Sequence, residues 1–192
     1  MARPRLRVIA GTAGGRRLVA PGAVRPTTDR VREALFASLG DDVRGARVLD
    51  LYAGSGALTI EALSRGAADA VVVEADAAAV DACRTNLTTT GLADRAEIRA
   101  VPVAAFLATG SAGSPFDLVF ADPPYDEAAP AVAALLDGLA RPGWLTPAAR
   151  VVVETPSRGV AVSDAAGPGW EIRSERKYGD TLLTTLGLVA RV

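Results

Sequence analysis

Three observations predict an α/β chain built on a mostly parallel, doubly wound Rossmann-like sheet. Apolar runs of strand length alternate with helical patterns through residues 46–154, and acidic residues stand at the ends of three of these runs. Residues 170–189 then change to a strand, a turn and a strand with no helix between. Alternating strands and helices imply parallel strands whose ligands lie beyond their carboxyl ends. The final pair, joined by a turn, must run antiparallel.

Composition bounds the reading. The chain has 192 residues, 49% hydrophobic and 22% charged, enough for one full core and a short appendage but no second large domain. Net charge is −1, unevenly spread: residues 1–40 hold eight arginines against Asp29 and Glu33, a net +6 that leaves −7 for the rest. We therefore divide the chain into a basic arm and helix, residues 1–40, and a body, residues 41–192. An arginine-rich head on an acidic body suits a polyanionic partner, with Arg7, Arg16, Arg17, Arg25, Arg30 and Arg32 as its contacts. The single cysteine, Cys83, excludes an internal disulfide, and the absence of histidine excludes histidine-based catalysis and metal ligation, so no metal site is expected. The longest charge-free run, Ala100 to Phe116, is broken by prolines and glycines and is no membrane span. The N-terminus lacks the apolar core of a signal peptide, so cytoplasm is the expected compartment.

In chain order, residues 2–26 show no sustained period and read as short strands or an arm. Thr27, Thr28 or Asp29 can cap a helix whose apolar face is Val31, Ala34, Leu35 and Leu39, with Arg30 and Arg32 pointing away from it. Gly40 to Gly45 reads as a linker. Ala46 to Ala53 is the first core strand and runs into Gly54-Ser55-Gly56, then a helix ended by Arg65-Gly66. Such a turn lets backbone approach a ligand and offers free N–H groups. Thr59 breaks the dinucleotide pattern, and Asp50 precedes the glycines. A carboxylate there repels a pyrophosphate and attracts a cationic, amine-bearing ligand, favouring S-adenosylmethionine over NAD.

Ala70 to Val73 is the second strand. It ends in Glu74, which lies where an acid can take ribose hydroxyls. A helix over 77–90 closed by Gly91, a strand over 96–101 and a short helix over 104–109 follow. Phe116 to Ala121 is a buried strand stopped by Asp122-Pro123-Pro124-Tyr125. Two fixed prolines leave carbonyls and a carboxylate as a rigid acceptor cluster beside an aromatic face. That set suits an amino group on a planar ring. A helix over 127–139 and a strand over 150–154 complete the parallel part. Trp170 to Lys177 and Thr181 to Val189 form the hairpin around Tyr178-Gly179-Asp180, where Tyr178 is either a second base platform or a plain turn residue.

The segments Gly11 to Leu18, Arg25 to Phe36, Asp50 to Leu58, Glu61 to Ala67, Ala121 to Tyr125 and Lys177 to Thr181 together resemble the bacterial 16S rRNA (guanine-N2)-methyltransferase RsmD family. Arg25-Pro26-Thr27-Thr28-Asp29-Arg30-Val31-Arg32-Glu33 is the most specific of them. The resemblance implies the class I S-adenosylmethionine-dependent methyltransferase fold, a seven-stranded, mostly parallel sheet with a C-terminal antiparallel hairpin. It implies methyl transfer to the N2 amino group of a guanine in 16S rRNA of the small ribosomal subunit. Matching positions imply that Asp50, Tyr52, Gly54, Gly56, Glu74 and Asp122 bind the cofactor. They imply that Asp122, Pro123, Pro124 and Tyr125 form the catalytic motif. Val101, Pro102 and Val103 depart from the wider superfamily, which often has an acid there for adenine. Rival readings are an N6-adenine nucleic-acid methyltransferase, a non-catalytic RNA-binding protein that keeps S-adenosylmethionine as a ligand, and an NAD oxidoreductase.

Overall fold

In the computed structural model, residues 6–20, 29–111, 113–124, 128–159 and 161–189 are described. Seven strands form one sheet in the order β3-β2-β1-β4-β5-β7-β6. In chain order the elements are α1 (Asp29–Leu39), β1 (Arg47–Leu51), α2 (Ala57–Ser64), β2 (Asp69–Val73), α3 (Ala77–Thr90), β3 (Ala96–Arg99) and α4 (Val103–Ala108). They continue with β4 (Phe116–Ala121), α5 (Ala128–Leu139), β5 (Leu145–Pro156), α6 (Val162–Ala165), β6 (Trp170–Tyr178) and β7 (Thr181–Leu188). Strands β1 to β5 pair in parallel. β7 enters antiparallel beside β5 and carries β6 on its outer edge, as the absence of a crossover helix requires.

Strand alternation sorts the core into two layers. On one face Val48, Val72, Phe120, Val152 and Leu183 meet α1, α2 and residues 6–18; on the other Leu49, Val71, Val119, Val151 and Leu186 meet α4 and α5. The arm is bolted to α2. Buried Glu61 accepts from the N–H groups of Ile9 at 2.7 Å and Ala10 at 3.1 Å, and the Ser64 hydroxyl joins the Ala10 carbonyl to the Ala13 N–H. Within the arm Arg7 and Arg17 form an antiparallel bridge, and Leu6, Val8, Ala13 and Leu18 are buried.

Several expectations change. Arg32 does not point away from the apolar face of α1: its side chain is 0% exposed, and it donates to the Arg7 carbonyl at 2.6 Å and to Asp29 at 2.7 Å. The returning arm covers that flank of the helix and supplies the carbonyl that draws the guanidinium in. The linker after α1 contains a 3₁₀ turn, Gly40–Val43, because Val43 is buried. β3 stops at Arg99, where the Val101 N–H turns back to the Arg99 carbonyl at 3.0 Å. β5 starts five residues earlier than expected and bulges against β4. Tyr178 ends β6, half-buried against the core, and leaves Gly179 and Asp180 as the turn. Thr27 and Thr28 lie outside the described residues.

Candidate functional site

The site lies at the carboxyl end of the parallel strands. β1 ends at Leu51, and the chain then leaves the sheet through positive φ at Tyr52 (59°), Gly54 (55°) and Gly56 (72°) before α2 begins. A Cβ on Gly56 would lie 2.6 Å from the Cys83 sulfur, so the turn packs directly on α3; a Cβ on Gly54 would meet nothing within 4 Å, because this part of the turn opens outward. Burial first, then Asp50 and Glu74, push the Cys83 thiol up to about 12, which makes it a packing residue and no nucleophile.

Asp50 is 2% exposed and accepts from the Thr59 N–H at 3.1 Å and hydroxyl at 2.6 Å. The residue that breaks the dinucleotide pattern therefore pins the start of α2 to β1. Burial outweighs these bonds and, with the Glu74 charge, lifts Asp50 to about 6. Glu74, at the tip of β2, ties the glycine turn to its own strand end: it accepts from the N–H groups of Gly54 and Ala75, both at 2.7 Å, and Asp76 at 2.9 Å. Asp76 in turn caps α3 through the Ala79 N–H at 2.8 Å.

Asp122 extends the β4 ladder by one step, its N–H donating to the Leu51 carbonyl at 3.4 Å. Burial first, then the charges of Glu154 and Asp50, raise its carboxyl to about 8. Pro123 is buried and Pro124 exposed; Tyr125 lies outside the described residues. Asp50, Glu74 and Asp122 have no arginine or lysine within ion-pair distance among the described residues. The same end of the sheet thus gathers one open backbone turn and several crowded carboxylates. That arrangement attracts cationic ligands and amino groups.

Glu154, on β5 just past its parallel pairing with β4, is a residue near this site that sequence reasoning missed. The sequence held a sign of it: Val-Val-Val-Glu occurs twice, at 71–74 and 151–154, and in both copies the Glu follows the last valine paired in parallel with a neighbouring strand. Glu154 is 7% exposed, and the Thr181 hydroxyl approaches it at 3.4 Å from β7.

The predicted anion contacts divide. Arg16 and Arg17 are exposed, Arg16 donating to the Thr89 carbonyl at 2.5 Å, and Arg7 is exposed but paired with Asp29 at 3.2 Å. Arg32 is buried, which removes it from that set; Arg25 lies outside the described residues. Arg30 lines a groove of about 300 Å³ with Val31, Lys177, Tyr178 and Gly179, which joins the start of α1 to the hairpin turn. Among the described residues no cluster of acids and cysteine has the arrangement of a metal site, and no helix is long and apolar enough to cross a membrane.

A family model described as Conserved hypothetical protein 95 matches residues 6–187. Ribosomal RNA small subunit methyltransferase D of Escherichia coli K12 is 37% identical over 177 residues, 91% of this chain and 85% of that protein. The protein of the same name from Haemophilus influenzae is 36% identical over 159 residues, 80% of each chain. The solved structure of yhhF from Escherichia coli superposes with a TM-score of 0.82 at 35% identity, covering 97% of this chain and 99% of that one.

Proposed function

This chain belongs to the ribosomal RNA small subunit methyltransferase D family and has the class I methyltransferase fold. From that premise we propose that it transfers a methyl group from S-adenosylmethionine to the exocyclic N2 amino group of a guanine in 16S rRNA. The observation that carries the reading is the acceptor cluster at Asp122 and Pro123, set beside an open glycine turn and facing no cation among the described residues.

The residues fit the cofactor. The open side of Gly54 leaves room for close backbone contact, and the carboxylates around the turn complement a ligand bearing ammonium and sulfonium charges. Asp50, Tyr52, Gly54 and Gly56 would hold its methionine end and Glu74 its ribose, as Glu74 already orders the turn. When bound, S-adenosylmethionine supplies an electrophilic methyl group.

Everything else falls to the chain. The Asp122 carboxyl and the Pro123 carbonyl accept from the target amino group and turn its nitrogen lone pair toward the methyl. Tyr125 supplies the face on which the base stacks, and Pro124 keeps the loop rigid. The amine loses one proton as its nitrogen gains a fourth bond, and Asp122 takes it, its ionised form favoured against Glu154 and Asp50 by the donor and the positive charge that the ligands bring. Such positioned proton acceptance contributes about 10²–10⁴-fold. A guanine in folded RNA must leave its stack to reach this tip. The segment 1–40 serves as the grip on the surrounding phosphates: Arg7, Arg16, Arg17 and Arg25 act from the arm, Arg30 from the groove beside Lys177 and Tyr178. The place of work is the cytoplasm, where small ribosomal particles are made.

Transfer of labelled methyl to small ribosomal particles from cells lacking this enzyme tests the proposal. N2-methylguanosine in the digested rRNA is the expected product. Label in adenine, or S-adenosylmethionine binding without transfer to any particle or to free 16S rRNA, overturns it.

A further inference from the structure

β5 carries a buried carboxylate, Glu154, one residue past its last parallel pair with β4 and still paired with Leu183 of β7. The parallel register pairs Ala121 of β4 with Val153 of β5, so the next residues, Asp122 and Glu154, stand side by side. Neighbouring strands run about 4.8 Å apart. Phe120 and Val152, two residues back on each strand, both enter the layer that contains Leu183, which puts Asp122 and Glu154 on that same face. The Glu154 charge is one of the causes that raise Asp122, as two carboxyl groups this close require. The cofactor end of the site is built from β1 and β2, two and three strands away from β5.

We propose that Glu154 is the guanine-selecting residue of the target-base pocket: its carboxylate accepts the N1–H, while Asp122 and the Pro123 carbonyl take the adjacent N2 amino group. The inference rests on the reading of guanine N2 as methyl acceptor. Guanine presents N1–H and N2 amino donors side by side on its Watson–Crick edge, and an extruded base is read along that edge. Ionised carboxylates are acceptors only. Two of them on adjacent strands, each kept ionised by the donor it accepts, therefore match guanine's paired donors. Adenine places a lone pair at N1 beside its amino group, so it meets Glu154 acceptor against acceptor. Selectivity then comes from attraction of the right base and repulsion of the wrong one. The Thr181 hydroxyl, reaching across from β7, holds the Glu154 carboxylate in this orientation. No proton or bond changes hands at Glu154, which sets it apart from Asp122.

The test uses small ribosomal particles reconstituted with 16S rRNA that carries either guanine or 2-aminopurine at the modified nucleotide. 2-Aminopurine keeps the N2 amino group and replaces N1–H by a lone pair. The full-length wild-type chain should favour guanine in kcat/KM by about 10- to 100-fold, the discrimination a well-placed pair of base contacts provides. In Glu154→Gln the amide can turn its N–H toward the N1 lone pair, and the preference should shrink to about threefold or less. A purely structural role would slow both substrates alike and leave the ratio intact, which overturns the inference; equal rates for the two bases in the wild type do the same. Thermal melting and S-adenosylmethionine affinity report the fold of the variant. Should Glu154→Gln not fold, Thr181→Val takes its place, with a smaller fall in the same ratio expected and an unchanged ratio overturning the proposal. N2-methylguanosine made by the wild type on guanine particles checks the underlying reading separately: without it both fall, and with it an unchanged ratio removes the role of Glu154 alone.

Discussion

Two acidic sites in this molecule solve opposite problems. Glu61, inside α2, is fully buried, and its oxygens are answered by two arm N–H groups and by Arg65 at 2.6 Å. Asp122, at the tip of β4, is half-buried, has no cation within ion-pair distance among the described residues, and faces Glu154 and Asp50. The first pattern is that of a structural joint, because a buried charge persists only when its partners repay desolvation. The second leaves like charges facing one another. On the proposed function, this is the place for a ligand that brings donors and positive charge. Perturbed carboxylates in a cleft mark function on these physical grounds.

The comparison breaks down if the two sites respond alike to loss of charge. Asp122→Asn is expected to give the larger effect. Turnover should fall by about 10²–10⁴-fold while S-adenosylmethionine affinity, followed by calorimetry, changes little. Retained turnover removes Asp122 from the mechanism. Glu61→Gln should do the reverse. Its rate per folded molecule at low temperature should stay near the wild type, and its thermal midpoint should drop. The expected loss is about 3 kcal/mol, at the low end for a broken buried pair because Arg65 retains some solvent contact. For a chain of this length each kcal/mol moves the midpoint by about 2–4 °C. An unchanged midpoint would show that the arm does not depend on this joint.

The contrast also explains what was legible in the sequence. The strand-and-helix alternation, the hairpin, the glycine turn and the acceptor motif are local: each is written in consecutive residues, and the structure has the sheet, the hairpin and the turn where the pattern put them. The joint is not local. Ile9 and Glu61 lie 52 residues apart, so nothing in the spacing of either says that an arm N–H will meet a helical carboxylate. Arg32 misled for the same reason. Its position on the helical wheel pointed to solvent, but the Arg7 carbonyl arrives from 25 residues away and buries it. Glu154 was half legible. Its Val-Val-Val-Glu run was visible, yet its significance depends on Asp122 following the Ala121–Val153 pair on the next strand, and register follows from the assembled sheet.

The smallest predicted effect isolates the repulsion itself, through stability against pH. An acid whose folded-state pKa lies above its unfolded value, here about 8 for Asp122 and about 6 for Asp50 against 3.8, keeps more protons in the folded chain across that interval. Stability is then full below about pH 4 and falls as pH rises, through about 6 for Asp50 and about 8 for Asp122. The groups acting on Asp122 are Glu154 from β5 and Asp50 from β1, with Glu74 from β2 acting on Asp50. Asp122→Asn deletes the Asp122 share of this slope, which runs from about pH 4 to about pH 8. The melting midpoints of variant and wild type should therefore coincide near pH 4. Between pH 4 and 6 both should decline, the wild type more steeply, and between 6 and 8 the wild type alone should keep falling, so that the variant is the more stable protein at pH 9. Parallel curves across this range would mean that Asp122 carries no stored repulsion and that the carboxyl end of the sheet differs from the Glu61 joint in position only.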